Sequence, residues 1–302
     1  QGVDCLILDK ENFPRHKLCA GWITPEVVDD LQLDVATYPH RFLTFNKLLF
    51  HFPVLGIRPL TQQHSIRRYE FDAWLLERSA APVDIHKVQT IRQQGEEYVI
   101  DERYRCRYLI GAGGTRCPVY RELFRQLSPR AGKKQVVALE EEFPYDYRNN
   151  QCHLWFFDKD LPGYSWYVPK ADGYINIGIG AMAEKLKTRG GDIKSHWNHL
   201  TRKLEHKRLI RGHDFKPKGY SYYTRGKAEV FRSGNAFIAG DAAGLSTKDM
   251  AEGIGPAVKS GLMAADAIVN GTPYDLSGIN SKSFDTKRLM LSWLTRRPYS
   301  AA

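Results

Sequence analysis

The sequence lacks the features that would place it in several large functional classes. No C-x-x-C pair occurs, and its five cysteines (Cys5, Cys19, Cys106, Cys117 and Cys152) are odd in number. That argues against a disulfide framework or a zinc site and points to a reducing, cytoplasmic setting. No run approaches the ~18 uninterrupted apolar residues of a membrane-spanning helix. The most apolar neighbourhood, Phe42 to Ile57, is broken by Asn46, Lys47 and His51. The opening Gln1-Gly2-Val3-Asp4 has no basic segment leading into an apolar one, so no secretory signal is read there. Helix-turn-helix, zinc-finger and ribonucleoprotein patterns are missing, and no nucleic-acid partner is expected. Internal repeats and low-complexity tracts are missing too.

Acidic residues are the minority charge, 34 against 44 lysines and arginines, for a net charge of +10. A positive field favours anionic partners such as a pyrophosphate or the headgroups of a membrane surface, so peripheral membrane contact is a possible second role. The basic residues are scattered, with local clusters at Thr201–Arg211 and Arg121–Lys134. With 302 residues, 42% of them hydrophobic, the chain is large enough for two subdomains.

Val3–Leu8 (VDCLIL) reads as a strand closed by Asp9. Gln1-Gly2 reads as a helix end and its turn, so the chain reads as starting at the second strand of a β-α-β unit. The glycine-rich turn expected ~20 residues before such an acid would precede residue 1. Arg41–Ile66 suggests a bent strand pair. Arg67–Ala81 has apolar residues at helical spacing and ends near Pro82. Val136–Glu142, His153–Phe157, Tyr164–Val168 and Tyr174–Gly180 suggest an antiparallel sheet. Lys185–Arg211 reads as a polar helical region, and Gly255–Val269 as a long amphipathic helix. The order predicts a discontinuous cofactor domain (1–40, 67–135 and 225–302) with a substrate-binding sheet inserted into it (41–66 and 136–224).

Several segments carry chemistry. Phe237–Gly244 (FIAGDAAG) is a strand entering a turn at Gly240-Asp241, followed by Gly253-Ile254-Gly255 and a helix. Glycines admit close backbone approach, and a helix start offers N–H donors to phosphate. Tyr108–Val119 is another strand running into a glycine-rich turn. In Leu161–Gly180, alternating aromatics such as Tyr164 and Trp166 would share one sheet face and wall an apolar cavity. Phe13–Gly21 (FPRHKLCAG) sets Cys19 beside Arg15, His16 and Lys17, which would lower a thiol pKa if they were near it in space. A structural role for each remains open at this level: a tight turn, a plain sheet core, a small buried cysteine.

In this order, the segments LILDK, PRHKLCAG, RRYEFDAWLLERSA, LPGYSWYVPKADGYINIGIG and FIAGDAAGLSTKDMAEGIGPAVKSGLMAADAI resemble the geranylgeranyl reductase family of FAD-dependent oxidoreductases, within the p-hydroxybenzoate-hydroxylase-like flavoproteins. The resemblance covers roughly residues 1 to 270. It implies an α/β fold: a Rossmann-like FAD/NAD(P)-binding domain with an inserted antiparallel sheet, its N-terminal βα unit lying outside this chain. It implies FAD, recharged by NAD(P)H or another reductant, and reduction of C=C bonds in an isoprenoid or other apolar lipid-like substrate. It implies Asp9 at the adenosine ribose and Arg67 or Arg68 near the flavin or its phosphates. Gly240 and Asp241 would hold ribityl and pyrophosphate groups, with Gly253, Ile254 and Gly255 at the ring. Tyr164, Trp166 and Pro169 would line the substrate cavity, with Cys19 near the reactive edge; Cys19, Tyr164 and Trp166 are the catalytic candidates. The chain departs from the family at Ala20, Val168 and Gly113, where a glycine, a phenylalanine and an aspartate are usual, and is short after residue 270. A flavin monooxygenase or halogenase is the alternative within enzymes, although Tyr164-Ser165-Trp166-Tyr167-Val168-Pro169 lacks the halogenase W-x-W-x-I-P. A catalytically silent flavoprotein or ligand carrier is the alternative outside them.

Overall fold

The structure, a computed structural model, describes residues 3–226 and 230–283. The parts of the expected cofactor domain at 1–2, where a helix end and turn are expected, at 227–229 and at 284–302 lie outside the described residues.

Strand β1 (Ile7–Asp9) leads through a long loop to β2 (Trp22–Ile23) and helix α1 (Pro25–Asp30). β3 (Leu43–His51), β4 (Gly56–Ile57) and β5 (Leu60–Ser65) follow. Helix α2 (Arg68–Ser79) ends where Ala80 turns left-handed. Short strands come next: β6 (Val83–Ile85), β7 (Ile91–Gln94), β8 (Glu97–Ile100), β9 (Tyr104–Cys106) and β10 (Leu109–Gly111). Long strands then build the sheet: β11 (Gln135–Pro144), β12 (Cys152–Phe156), β13 (Gly163–Lys170) and β14 (Tyr174–Met182). Helices α3 (Ala183–Thr188) and α4 (Ile193–His206) precede β15 (Lys218–Tyr223), β16 (Arg232–Ser233), β17 (Ala236–Ile238) and helix α5 (Ile254–Val269).

The dominant layer is a nine-stranded sheet in the order β15-β11-β14-β13-β12-β3-β5-β2, with β4 on β3. Its pairings are antiparallel except one: β12 runs parallel to β3, with Cys152 opposite Leu48. That junction joins the two stretches of sheet that the sequence presents far apart. β2 lies within 1–40 and pairs with the end of β5 through Trp22 and Ser65. The rest of the molecule is α/β. β1 pairs parallel with β6, β10 pairs parallel with β17, and β16 closes against β17.

The polar region expected over Lys185–Arg211 is two helices, broken at Gly190-Gly191, where Gly190 has φ +63°. α4 is amphipathic. The Asp192 carboxylate accepts from the N–H groups of Lys194 and Ser195 and caps its first turn. Trp197, Leu200 and Leu204 are buried against Tyr167, Ile175, Ile177 and Ile179 on the outer sheet face. Burial of each large apolar side chain contributes ~1.5–3 kcal/mol.

The aromatics of β13 alternate in the way a pleated strand requires. Tyr164, Trp166 and Val168 face the inner cluster with Phe50 and Phe156, and Tyr167 faces the outer one under α4. The inner face of the sheet is the wall that looks toward α2, α5 and the turn after β17.

Candidate functional site

One cavity of about 850 Å³ runs between the sheet's inner face and the α/β part. At one end it is polar, lined by Lys17, Arg68, Asp72, Asp241 and the backbone of Ala112, Gly114 and Gly240. At the other it is apolar, lined by Phe50, Phe52, Ile57, Phe156, Tyr164 and Trp166. Cys19, Ala20 and Gly21 run along it.

The turn after β17 has a steric logic. Gly240 is left-handed (φ +55°), and a Cβ there would stand 2.9 Å from that of Ala257 in α5. A side chain at Gly253 would approach Asp241 Oδ1 and Ser246 Oγ to 3.2 Å. Gly240 therefore lets the turn pack against α5, and Gly253 keeps open the ground around the Asp241 carboxylate, where Ser246 Oγ donates to Oδ1 at 3.0 Å. Arg130 braces the turn from behind, donating to the Asp241 and Ala242 carbonyls at 3.3 and 2.8 Å. The Gly255 N–H donates to Glu252 Oε1 at 2.9 Å, capping the start of α5.

Arg68 forms a two-pronged ion pair with Asp72 one helical turn on, at 2.5 and 2.7 Å. Burial works against its charge, and Asp72 and Cys19 outweigh burial, so its pKa is raised. The Arg68 guanidinium in turn holds the Lys17 ammonium below its ordinary pKa. Two cations thus face the Asp241 turn across the polar end.

The Cys19–Gly21 loop is held by groups that no sequence motif announced. The Cys19 N–H donates to the Glu140 carboxylate, and Asn176 Nδ2 donates to the Cys19 carbonyl at 3.2 Å. Asn176 Oδ1 accepts from Trp166 Nε1 at 2.7 Å, so the same amide orients the indole. Lys170, fully buried, donates to the carbonyls of Ala20, Gly21 and Ile66. Gly21 is left-handed (φ +69°), and a Cβ would collide with the Ile66 carbonyl at 2.3 Å. Burial pushes the Glu140 carboxyl up to about 7, against hydrogen bonds that favour its charged form. Tyr220, on the cavity wall, donates from its hydroxyl to Glu140 Oε2 at 3.3 Å. The signal in the sequence was slight: Glu140 follows Val136 and Ala138 on an inward-facing alternation, and Asn176 interrupts an apolar strand.

Of the residues expected at a site, Cys19, Arg68, Tyr164, Trp166, Gly240, Asp241, Gly253 and Ile254 line this cavity. Four others stand outside the lining. Arg67 pairs with Glu70 and Glu142 and lies 3.4 Å over the Tyr174 ring. Pro169 accepts at its carbonyl from Ser65 Oγ at 2.7 Å. Gly255 sits one residue inside α5. Asp9, at the end of β1, faces Arg15 at 3.6 Å and accepts from the Glu11 N–H. Arg15 and His16, expected as neighbours of the thiol, turn instead to Phe13 and Tyr69.

The arrangement fits an elongated ligand with an anionic, hydroxylated part and a flat apolar part. The glycine-cleared carboxylate at Asp241 suits hydroxyl donors, the cations suit phosphate, and the Cys19–Gly21 backbone beside Trp166 suits a planar ring.

Comparison with known proteins agrees. The FAD binding domain family matches residues 74–268. An uncharacterized protein of Methanosarcina barkeri is 30% identical over 301 residues, spanning 95% of this chain and 72% of that protein. A menaquinone reductase of Mycobacterium tuberculosis is 26% identical, spanning 88% of this chain and 71% of that protein. The fold matches a geranylgeranyl bacteriochlorophyll reductase-like protein of Thermoplasma acidophilum with a TM-score of 0.72 at 17% identity, covering 97% and 77% of the two chains. It also matches the flavin-dependent halogenase CmlS with a TM-score of 0.67 at 17% identity, covering 88% and 54%. The family match and the chemistry of the cavity make FAD the cofactor. The chain belongs to the FAD-binding-domain family of flavin-dependent oxidoreductases.

Proposed function

We propose that the protein reduces carbon–carbon double bonds of an apolar, isoprenoid-type substrate. The observation that carries this reading is the continuity of the cavity: the polar end at Asp241 and Arg68 opens directly into a chamber of Phe50, Phe52, Ile57, Phe156, Tyr164 and Trp166. Such a chamber excludes water and has few groups that would grip a polar substrate. The relative named menaquinone reductase supports the reading, since menaquinone carries an isoprenoid chain.

In this reading Asp241, Gly240, Gly253, Ile254 and Arg68, all in the cavity lining, would hold FAD. Bound in reduced form, it supplies a hydride to one alkene carbon, with NAD(P)H or another reductant restoring it. The protein's tasks are to lay the chain along the aromatic wall and to bring a proton to the other carbon. Cys19 and Tyr164, both in the lining, are the side chains proposed to carry that proton. Cys19 Sγ accepts from the Gly21 N–H at 3.3 Å. The Tyr164 hydroxyl donates to the Met250 carbonyl at 2.6 Å, and burial keeps it un-ionised by raising its pKa.

The test is anaerobic. Dithionite-reduced protein should be reoxidised by a polyprenyl alkene, with the saturated product seen by mass spectrometry. Cys19→Ala and Trp166→Ala should each lower turnover by ~10-fold or more while FAD affinity changes little. Oxygen uptake with peroxide or oxygenated product, and no anaerobic reoxidation, would replace reduction with monooxygenase-type chemistry. Silence in both assays would make the protein a flavin carrier.

A further inference from the structure

The apolar end of the cavity runs out to exposed apolar side chains. Phe52 and Phe157 both line it, their ring centres 6.4 Å apart, and Phe157 is 54% exposed. Phe52 also begins the turn between β3 and β4, its N–H donating to the Leu55 carbonyl at 2.7 Å. The tip of that turn is Val54, 97% exposed, and Leu55, 44% exposed. Three large apolar side chains therefore stand in water at the mouth of an apolar chamber, on two loops that the Phe52, Phe156 and Phe157 rings hold together.

Cations flank this tip. Lys185 within α3 and Arg189 just after it line the cavity beside Phe157 and Pro162. Arg189 Nη1 donates to the Asp160 carbonyl at 2.8 Å, which ties the end of α3 to the Phe157 loop. Lys159 on that loop and Lys187 on α3 are exposed. The exposed acids beside them are Asp160 and Glu184, and Asp158 is engaged by Lys203 and His199. The balance at the mouth is positive.

We propose that the cavity mouth docks on an anionic phospholipid surface, with Val54, Leu55 and Phe157 entering the interfacial layer and Lys159, Lys185, Lys187 and Arg189 facing the headgroups. An exposed apolar tip framed by cations is the pattern that binds such interfaces, gaining from apolar burial and from surface charge together. The proposal rests on the apolar-substrate reading, because docking there lets a substrate with a membrane-dissolved chain pass from bilayer to chamber without crossing water.

The experiment is co-sedimentation of the FAD-loaded protein with vesicles of phosphatidylglycerol and phosphatidylcholine, and with pure phosphatidylcholine vesicles, neither containing substrate. The wild type should sediment with the anionic vesicles, less as salt rises, and little with the neutral ones. V54D/L55D should weaken binding at least ~10-fold, and K159E/K187E should weaken it and blunt its salt dependence. None of these four residues lines the cavity, so FAD content should be unchanged. The proposal is overturned if the wild type ignores both vesicles, binds both equally, or loses nothing in V54D/L55D. It is also overturned if sedimentation velocity shows that the tip joins two copies of this chain in a dimer that V54D/L55D dissociates. Because the vesicles hold no substrate, docking without alkene reduction would defeat only the functional reading, and reduction of a short-chain alkene without docking would defeat only this proposal.

Discussion

Glu140 shows how one buried residue couples the site to pH. Its carboxylate receives the Cys19 N–H and the Tyr220 hydroxyl, and burial raises its pKa from the ordinary 4.5 to about 7. Between those two pH values the folded protein holds a proton that the unfolded chain has released. Stability from this group is therefore full below about pH 4.5 and is lost as pH rises through about 7. The window can account for roughly 3 kcal/mol at most. Glu140→Gln keeps a neutral group of the same shape and removes the titration. Melting temperatures from pH 5 to pH 8 should fall more steeply for the wild type than for Glu140→Gln; parallel curves would show that the carboxyl stays ionised throughout. The glycine turns and Asp241 were legible in the sequence because special backbone needs special residues. Glu140, Asn176 and Lys170 were not, since a polar residue in a strand looks the same whether it faces water or a partner a hundred residues away.

Pairs of strands place the aromatic wall. Trp166 on β13 stands opposite Gly178 on β14, and the indole lies across the space that a side chain there would fill. A Cβ at Gly178 would sit 2.1 Å from the ring, whereas one at Gly180 would sit 3.6 Å from it. Gly178→Ala should therefore push the indole off Asn176, cost about 1–3 kcal/mol of stability as overpacking does, and lower turnover with FAD still bound. Gly180→Ala is the control and should leave both readings close to wild type. A red shift of tryptophan emission in the first variant alone would report the displaced ring; equal effects of the two would refute the packing argument. The alternation in Tyr164-Ser165-Trp166-Tyr167 is readable in the sequence as a strand with two faces. Its register against β14 is not, because a slip of one residue preserves the composition and exchanges the faces. Helix α2 was readable from the spacing of Phe71, Trp74 and Leu75. The buried face of helix α4 is hard to read in the sequence, because Trp197, Leu200 and Leu204 are separated by polar and basic residues, two of which, His199 and Lys203, turn to Asp158.

At the scale of the whole molecule, the cavity lies between layers, and a ligand filling it would touch both. Saturating FAD at ~100 times its Kd should raise stability by about 2.7 kcal/mol. Asp241→Ala removes a charged acceptor worth about 1.5–3 kcal/mol to a hydrogen-bonded partner, so FAD should bind at least ~10-fold more weakly. A titration of melting temperature against FAD reads both quantities, and identical curves would take Asp241 out of the site. The α/β-plus-sheet division was visible in the order of elements. The β3–β12 junction was not, because a parallel pairing over so long a separation leaves no local trace. That junction has a consequence for how the chain matures. β3 is made early, and its neighbour β12 is roughly a hundred residues later, after α2 and the strands up to β11 have emerged. Until then Leu48 and Phe50 have no β12 beside them, and the cost of closing so large a loop falls on a single late event. The aromatic chamber therefore closes only after β12 and then β13, which brings Tyr164 and Trp166, have been made, with α2 already synthesised.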